Sequence, residues 1–453
     1  MRGWLFNLIY IAILVLASPI LIYRSVRHGK YRDGFRQKFF GRIPRRRNVL
    51  RDWHLRGWSK SPDTKIVWFH AVSVGEVKLL KPLLRKIRES QPNWCCVVST
   101  TSKTEMDLAK QLFGSDWTVF YCPLDFSWAV EKAFQRLKPD MLVLVEQELW
   151  PNLIATAKKN GVKLAIVNGR FGENGYKRYL WIKPFIAPML RQFDLIAPQT
   201  ELYAGWFRRL GVSCEAIHIT GSIKFDGAES DRNNPETQRF REMAGITADD
   251  IVFLAGSTQY PEEKFAVECY EQLKRDFPQL RLIIVPRHPE RFNEVATMLD
   301  DRGVHWERRS TLKNNGTEHP RVLLVDTVGE LGGWWGTATI AYVGGSMDSD
   351  IFGGRGGQNM IEPAAYGAAV CFGPKTKNFH DIVSMMLRDD AAVVVHDQRE
   401  MEGFVRRCLV EPEFAARLGS NAQHLTARQV GATQKTFELL QALAETQKSE
   451  PET

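Results

Sequence analysis

The stretch His70-Ala71-Val72-Ser73-Val74-Gly75-Glu76 joins an apolar run, Ile66-Val67-Trp68-Phe69, to a helical pattern, Val77, Leu79, Leu80, Leu83, Leu84 and Ile87. The run reads as a buried strand and the pattern as an amphipathic helix. Glu76 is therefore expected at the carboxyl end of a first strand, where ligands bind in open α/β sheets. Two roles fit it there. It can cap the helix start as a first-turn acid. Ionised beside the helix N–H groups, it can instead take a proton from a substrate hydroxyl.

Outward from this stretch, short apolar runs alternate with helical patterns. Strands are expected at 65–70, 95–99, 118–122, 140–145, 163–167, 194–197 and 216–220. A second set falls at 251–256, 280–285, 321–325, 339–343, 368–372 and 392–395. Strands separated by helices imply right-handed βαβ units and parallel sheets. The expected fold is α/β, with two doubly wound, Rossmann-like domains facing a cleft and an N-terminal membrane-anchor helix. The expected boundaries are an anchor at 1–23, a basic juxtamembrane segment at 24–60, a first domain at 61–225, a second at 226–440 and a tail at 441–453.

The chain has 453 residues, 44% hydrophobic and 25% charged, as expected of a globular protein. Trp4–Tyr23 carries no charge and is long enough to cross a bilayer. A cleaved signal peptide is the rival, but Arg2 alone forms a basic start and Pro19 follows Ala17-Ser18, where a cut would fall. An uncleaved, single-pass anchor is therefore expected. Residues 24–51 hold eleven Lys/Arg against Asp33 alone, so the net charge of +9 is a juxtamembrane feature. Such a flank stays cytoplasmic and attracts anionic headgroups. The rest is slightly acidic, which argues against nucleic acid as a partner. Cys95 and Cys96 lie inside a strand pattern, as buried thiols in a reducing compartment would.

Further candidates gather at strand ends. Glu146-Gln147-Glu148-Leu149-Trp150-Pro151-Asn152 puts two carboxylates at the edge expected for Glu76, either for chemistry or as an acidic helix start over a packed Trp150. Asn168-Gly169-Arg170 adds an arginine. Thr220-Gly221-Ser222-Ile223-Lys224-Phe225-Asp226 offers Lys224 either to a phosphate or carboxylate or to solvent. Tyr176–Phe185 mixes basic and aromatic residues, as a headgroup-facing surface or an ordinary amphipathic helix would. In the second half, Val285-Pro286-Arg287-His288-Pro289-Glu290-Arg291 fixes Arg287 at a strand end. Asp326-Thr327-Val328-Gly329-Glu330-Leu331 reads as a capping box, Thr327 with Glu330. Val343-Gly344-Gly345-Ser346 and Gly353–Gly367 form a glycine-rich loop feeding a helix, whose N–H groups would cradle a phosphate, with Glu362 behind for ribose hydroxyls. Asp348-Ser349-Asp350 is read as solvated loop, and His70, His288 and His380 lack zinc spacing; no metal is expected.

Together these segments resemble the 3-deoxy-D-manno-octulosonic acid (Kdo) transferases of lipopolysaccharide synthesis, inverting enzymes of the GT-B fold. The resemblance rests on HAVSVGE at 70–76, EQELWPN at 146–152, TGSIKFD at 220–226, VPRHPERF at 285–292, DTVGEL at 326–331 and GGQNMIEPAAYG at 356–367. It implies CMP-Kdo as donor substrate with no further cofactor. It also implies a lipid A precursor (lipid IVA) as acceptor, and a body on the cytoplasmic side of the inner membrane. By resemblance Glu76 is the general base, while Glu146 and Lys224 stabilise the transition state. Pro286, Arg287, Gly329, Glu330, Leu331, Asn359, Met360, Ile361 and Glu362 hold CMP. The acceptor then belongs to the first domain and the donor to the second. Three departures stand out: the stretch Met347–Arg355 lengthens the glycine loop, Gln358 replaces a frequent histidine, and Gly169 a common alanine. A UDP-sugar transferase and a non-catalytic nucleotide-sugar binder remain as rivals. The first would lose little on Lys224→Ala, and the second nothing on Glu76→Ala.

Overall fold

The structure, a computed structural model, describes residues 3–28, 33–58, 61–312, 319, 321–347 and 356–446, without the side chains of some residues in the first helix. The chain divides into two compact units. One runs to Gly227 and resumes at Val430; the other is Ala228–Gln429.

The first unit is built on six parallel strands: β1 (Lys65–His70), β2 (Trp94–Thr100), β3 (Thr118–Tyr121), β4 (Met141–Val145), β5 (Lys163–Gly169) and β6 (Leu195–Pro198). Their order is β3-β2-β1-β4-β5-β6, so the chain reverses direction across the sheet between β1 and β4. Helices cover both faces, which is why β2 and β4 are buried throughout and read as continuous apolar runs rather than alternating ones. The switch point lies between the strand leading to Glu76 and the strand leading to Glu146, where this fold class binds ligands.

The second unit carries seven parallel strands: β7 (Ile251–Thr258), β8 (Leu280–Pro286), β9 (Trp306–Arg308), β10 (Val322–Leu324), β11 (Ile340–Val343), β12 (Ala369–Phe372) and β13 (Val393–Val394). The order is β13-β12-β11-β7-β8-β10-β9, with its switch point between β7 and β11. Two doubly wound parallel sheets are thus present, as expected from the alternating pattern.

Four expectations change. Residues 216–220 make one isolated bridge, Ile217 to Ile196, instead of a strand; a 3₁₀ turn at Cys214–Ala216 and Gly221 at φ +90° bound them closely on both sides. The edge strand β9, three residues long and half-exposed, has too little apolar pattern to be read from sequence. The segment 24–60 is not merely juxtamembrane. Helix α2 (Phe35–Phe40) and helix α3 (Arg46–Leu55) follow the first helix, α1 (Gly3–His28). Ile43, Val49 and Trp53 are buried in the first core, where Trp53, Trp58 and Trp117 stack in series at 5.7 and 5.5 Å. Finally, the second domain does not extend to residue 440. Helix Ala432–Glu445 buries Phe437 and Leu440 in the first core, and the Asp226 carboxylate accepts the N–H of Gly431 (2.6 Å) and of Thr433 at its start.

The expected anchor coincides with α1, 26 residues long with Pro19 inside it. Among the described residues no helix is long and apolar enough to cross a membrane; Trp4, Leu5, Ile9, Leu21 and Ile22 of the expected span have side chains outside those described. Val15 and Leu16 are exposed. Asn7 bonds Ser127 through both its amide and its carbonyl (2.7 and 3.0 Å), and the Tyr10 hydroxyl donates to Asp125 (2.9 Å), tying α1 to the first unit.

Asp226→Ala removes the acceptor for two N–H groups at the final helix start. We expect the first unit to lose about 1–2 kcal/mol of stability in denaturant titrations, with the second unaffected. An unchanged first transition would show that this helix is held by packing alone.

Candidate functional site

In the first unit the site grows from the start of helix α4 (Val74–Ser90). Its N-cap, Ser73, is extended and accepts the Glu76 N–H (3.1 Å), while the Glu76 carboxylate reaches back to the Val72 N–H (2.8 Å). Capping and chemistry are therefore not alternatives, because one carboxylate oxygen takes a single N–H of this turn. The expectation that the helix start keeps Glu76 ionised does not hold. Glu76 is buried, and burial pushes its pKa from 4.5 to about 7, against the Val72 and Ser73 hydrogen bonds and with a further push from Glu146 and Glu148. Desolvation outweighs the N–H groups, and the result is a carboxyl balanced between its two forms at neutral pH.

Beside it, at the ends of β4 and β5, Glu146 and Asn168 adopt φ of +60° and +54°. This left-handed conformation is uncommon for residues other than glycine, and such strain clusters at functional sites. Glu146 Oε2 accepts from Arg170 Nε (2.8 Å), and Lys224 Nζ lies 3.6 Å from Oε1. Two cations thus face this one carboxylate. Lys224 is only 21% exposed in its side chain, so it is not solvated surface. Its 3₁₀ turn is tied to β5 by the Asn168 Oδ1, which accepts the Ile223 N–H (3.1 Å). Glu148, its pKa raised by burial, accepts from the Trp150 indole (2.9 Å). Trp150 in turn stands edge-on to His70 at 5.4 Å. His70 is fully buried and held neutral, its pKa lowered to about 4 by burial. Its Nδ1 meets Ser99 Oγ (2.9 Å), and its Nε2 has no hydrogen-bond partner among the described residues. Glu76, Glu146 and Lys224 are thus brought together at one sheet edge, along with Arg170.

In the second unit, Pro286 ends β8 with its side chain buried, and the Arg287 N–H bonds Thr258 O (3.0 Å). The Arg287 guanidinium is on the exposed edge and has no partner among the described residues. The expected Thr327–Glu330 capping box is absent, because the helix starts at Leu331 and Glu330 is its N-cap without a side-chain cap bond. Glu330 is instead clamped by Nε and Nη2 of Arg309 (2.9 and 2.8 Å) and by Thr327 Oγ1 (2.6 Å), after Gly329 at φ +93°. Asn359 Nδ2 donates to Glu362 (2.9 Å), and Asn359 Oδ1 accepts the Ile361 N–H (3.2 Å). Met360 and Ile361 are buried in the core.

The glycine-rich cradle needs the largest correction. The N–H groups of Gly345, Ser346 and Met347 point at an internal carboxylate, Glu262, at 2.8–2.9 Å. Glu262 is wholly buried and also accepts from Gln259 N and the Tyr342 hydroxyl. A Cβ on Gly344 would meet Ser257 O at 2.6 Å, which explains that glycine by close approach rather than by phosphate binding. In the turn from Gly356 to Asn359 the Gly357 N–H is taken by Gly345 O (2.9 Å), and Asp348–Arg355 lie outside the described residues. Sequence reasoning missed Glu262 and Ser257, the latter at φ +54° in β7. The signal was there as Ser257-Thr258-Gln259 ending a strand at the switch point. Among the described residues no group of three or more His, Cys, Asp or Glu is placed to share a metal.

The family described as 3-deoxy-D-manno-octulosonic-acid transferase (kdotransferase) matches residues 39–227. The chain is 31% identical over 384 residues to the 3-deoxy-D-manno-octulosonic acid transferase of Bordetella pertussis, across 83% of this chain and 86% of that one. It is 29% identical over 443 residues to the enzyme of that name from Haemophilus influenzae, across 96% and 98%. Among solved structures, a UDP-N-acetylglucosamine 2-epimerase is similar with a TM-score of 0.54 at 11% identity, across 86% of this chain and 99% of that one. A glycosyltransferase from Rickettsia africae gives 0.53 at 12%, across 85% and 100%. Both are likenesses of fold.

Because the pKa of Glu76 is raised, the native state holds its proton more tightly than the unfolded chain. Stability is therefore lost as pH rises from about 4.5 to about 7. Glu76→Gln keeps an acceptor for Val72 and removes the charge. We expect equal unfolding free energies near pH 4 and a variant more stable by ~3 kcal/mol at pH 8. Equal stability at pH 8 would contradict the burial argument.

Proposed function

The chain belongs to the 3-deoxy-D-manno-octulosonic acid transferase family, and from that premise we propose an inverting transfer of Kdo from CMP-Kdo to a hydroxyl of the lipid A precursor lipid IVA. The buried Glu76 carboxyl carries this reading, because it is titratable near neutrality at the switch-point edge of the first sheet. In its ionised form it takes the proton of the acceptor hydroxyl. The hydroxyl oxygen then bonds to the anomeric carbon of Kdo from the face opposite CMP, and the bond from that carbon to the phosphate oxygen breaks. The electron pair leaves with CMP. A positioned base of this kind is typically worth ~10²–10⁴-fold.

Glu146 works through its cations. It holds Arg170 and Lys224 in place, and their positive charge suits the Kdo carboxylate and the charge that develops on transfer. In the second unit Arg287 suits the departing phosphate. The backbone at Pro286, Gly329–Leu331 and Asn359–Ile361, with Glu330 and Glu362, forms the CMP-binding set. Because both oxygens of Glu330 are already clamped, its part is to order Arg309 and the Gly329 turn rather than to bind ribose directly.

The protein is also proposed to sit at the cytoplasmic face of the inner membrane. The apolar α1 and the Arg-rich stretch after it support this reading, and so do Trp181 (88% exposed) and Phe185 (71%) beside Lys177, Arg178 and Lys183.

The test is transfer from CMP-Kdo to tetraacylated lipid A precursor, with products read by mass spectrometry. Wild type should add one or more Kdo masses. Glu76→Gln should lose ~10²–10⁴-fold in kcat, and Lys224→Ala about 10²-fold or more. A folded wild type that binds CMP but transfers nothing would overturn the assignment. Unimpaired transfer from a UDP-sugar by Lys224→Ala would favour a different donor.

A further inference from the structure

A cavity of about 350 Å³ lies within the first unit, between α1 and the segment Leu149-Trp150-Pro151 that follows the carboxylates Glu146 and Glu148. Ile13 and Leu14 of α1 line it together with Phe126, Leu149 and Trp150. Its polar groups are already spent. The Tyr10 hydroxyl donates to Asp125 (2.9 Å), and the Asp125 carboxylate also accepts the N–H groups of Asn152 (3.0 Å) and Leu153 (2.8 Å). A ligand here would be offered apolar contact and little unspent hydrogen bonding. The volume matches small-ligand sites, whereas apolar walls of this kind order water poorly.

Position then selects the ligand. Trp150 is shared between the cavity wall and the carboxylate edge, because its indole donates to Glu148 and its ring stands on His70. A molecule with its polar head at that edge would have its tail here. The α1 lining belongs to a helix that also exposes Val15 and Leu16, apolar side chains that an alkyl chain in a lipid phase would meet.

We propose that this cavity seats one acyl chain of the lipid acceptor, so that α1 serves as part of the acceptor site as well as a tether. The proposal rests on the acceptor reading above. It makes acyl length, rather than only the sugar head, a determinant of acceptor affinity.

Leu14→Trp fills the cavity, and Leu16→Trp, on the exposed side of the same helix, is the control. Kinetics of the full chain are measured with tetraacylated acceptor and with its deacylated bisphosphorylated disaccharide. Leu14→Trp should raise KM for the acylated acceptor about tenfold, leaving kcat and the deacylated acceptor unchanged, while Leu16→Trp matches wild type. An unchanged KM, or an equal loss on both acceptors, would overturn the proposal. In parallel, an acceptor with a diazirine at the chain end is photolysed on wild type and the adducts are mapped. Label at 10–14 and 149–151 is expected; label confined to 16–20 or 181–185 places the chain in the bilayer and overturns the proposal. If wild type transfers to neither acceptor, the acceptor reading fails, while the labelling still reports on the cavity.

Discussion

The structure turns on one carboxylate held away from water. Glu76 is buried against the start of α4, with one oxygen on the Val72 N–H and its own N–H on Ser73. In isolation the turn would lower its pKa, since N–H groups at a helix start favour an anion. Burial and two neighbouring carboxylates reverse that sign. The protein accepts an ionised group that destabilises it at neutral pH, in a carboxyl poised there between its two forms. The six-stranded order explains the placement, because in this sheet β1 and β4 flank the point where the strand order reverses.

Around that carboxylate, backbone strain and charge are arranged together. Glu146 and Asn168 each hold a left-handed conformation at adjacent strand ends, which costs on the order of 1–3 kcal/mol apiece. What the strain secures is a fixed anion at Glu146, gripped by Arg170 and faced by Lys224, and a fixed turn at Ile223. The second unit uses the inverse device. There the fixed anion, Glu262, is wholly buried and shapes a glycine turn from within.

Much of this was legible in the residues, and the failures share a cause. Strands buried on both faces announce themselves as apolar runs, so β1, β4 and β8 stand out; β9, with three half-exposed residues, does not. Helix Ala432–Glu445 has an ordinary helical pattern, but which core receives it depends on Asp226, some 200 residues away in sequence and therefore invisible to periodicity. The Arg-rich stretch after α1 looks like a membrane flank because charge dominates its composition, yet Trp53 and Ile43 among those arginines carry it into the core. At the site, the strand-end positions of Glu76, Glu146 and Lys224 were legible, and the structure brings the three together. Sequence spacing mistook the partner of the glycine turn, since Glu262 lies in a different βα unit, and it assigned Glu76 the wrong charge tendency, since desolvation is a property of the packed fold.

The most direct test is to titrate Glu76 itself, by ¹³C-carboxyl NMR of the full chain with Glu76→Gln used to assign its resonance. The structure predicts a midpoint near pH 7, matched by the acidic limb of kcat/KM for transfer. A midpoint near 4.5, or a kinetic limb that persists unchanged in Glu76→Gln, would contradict the claim that this buried carboxyl is the base.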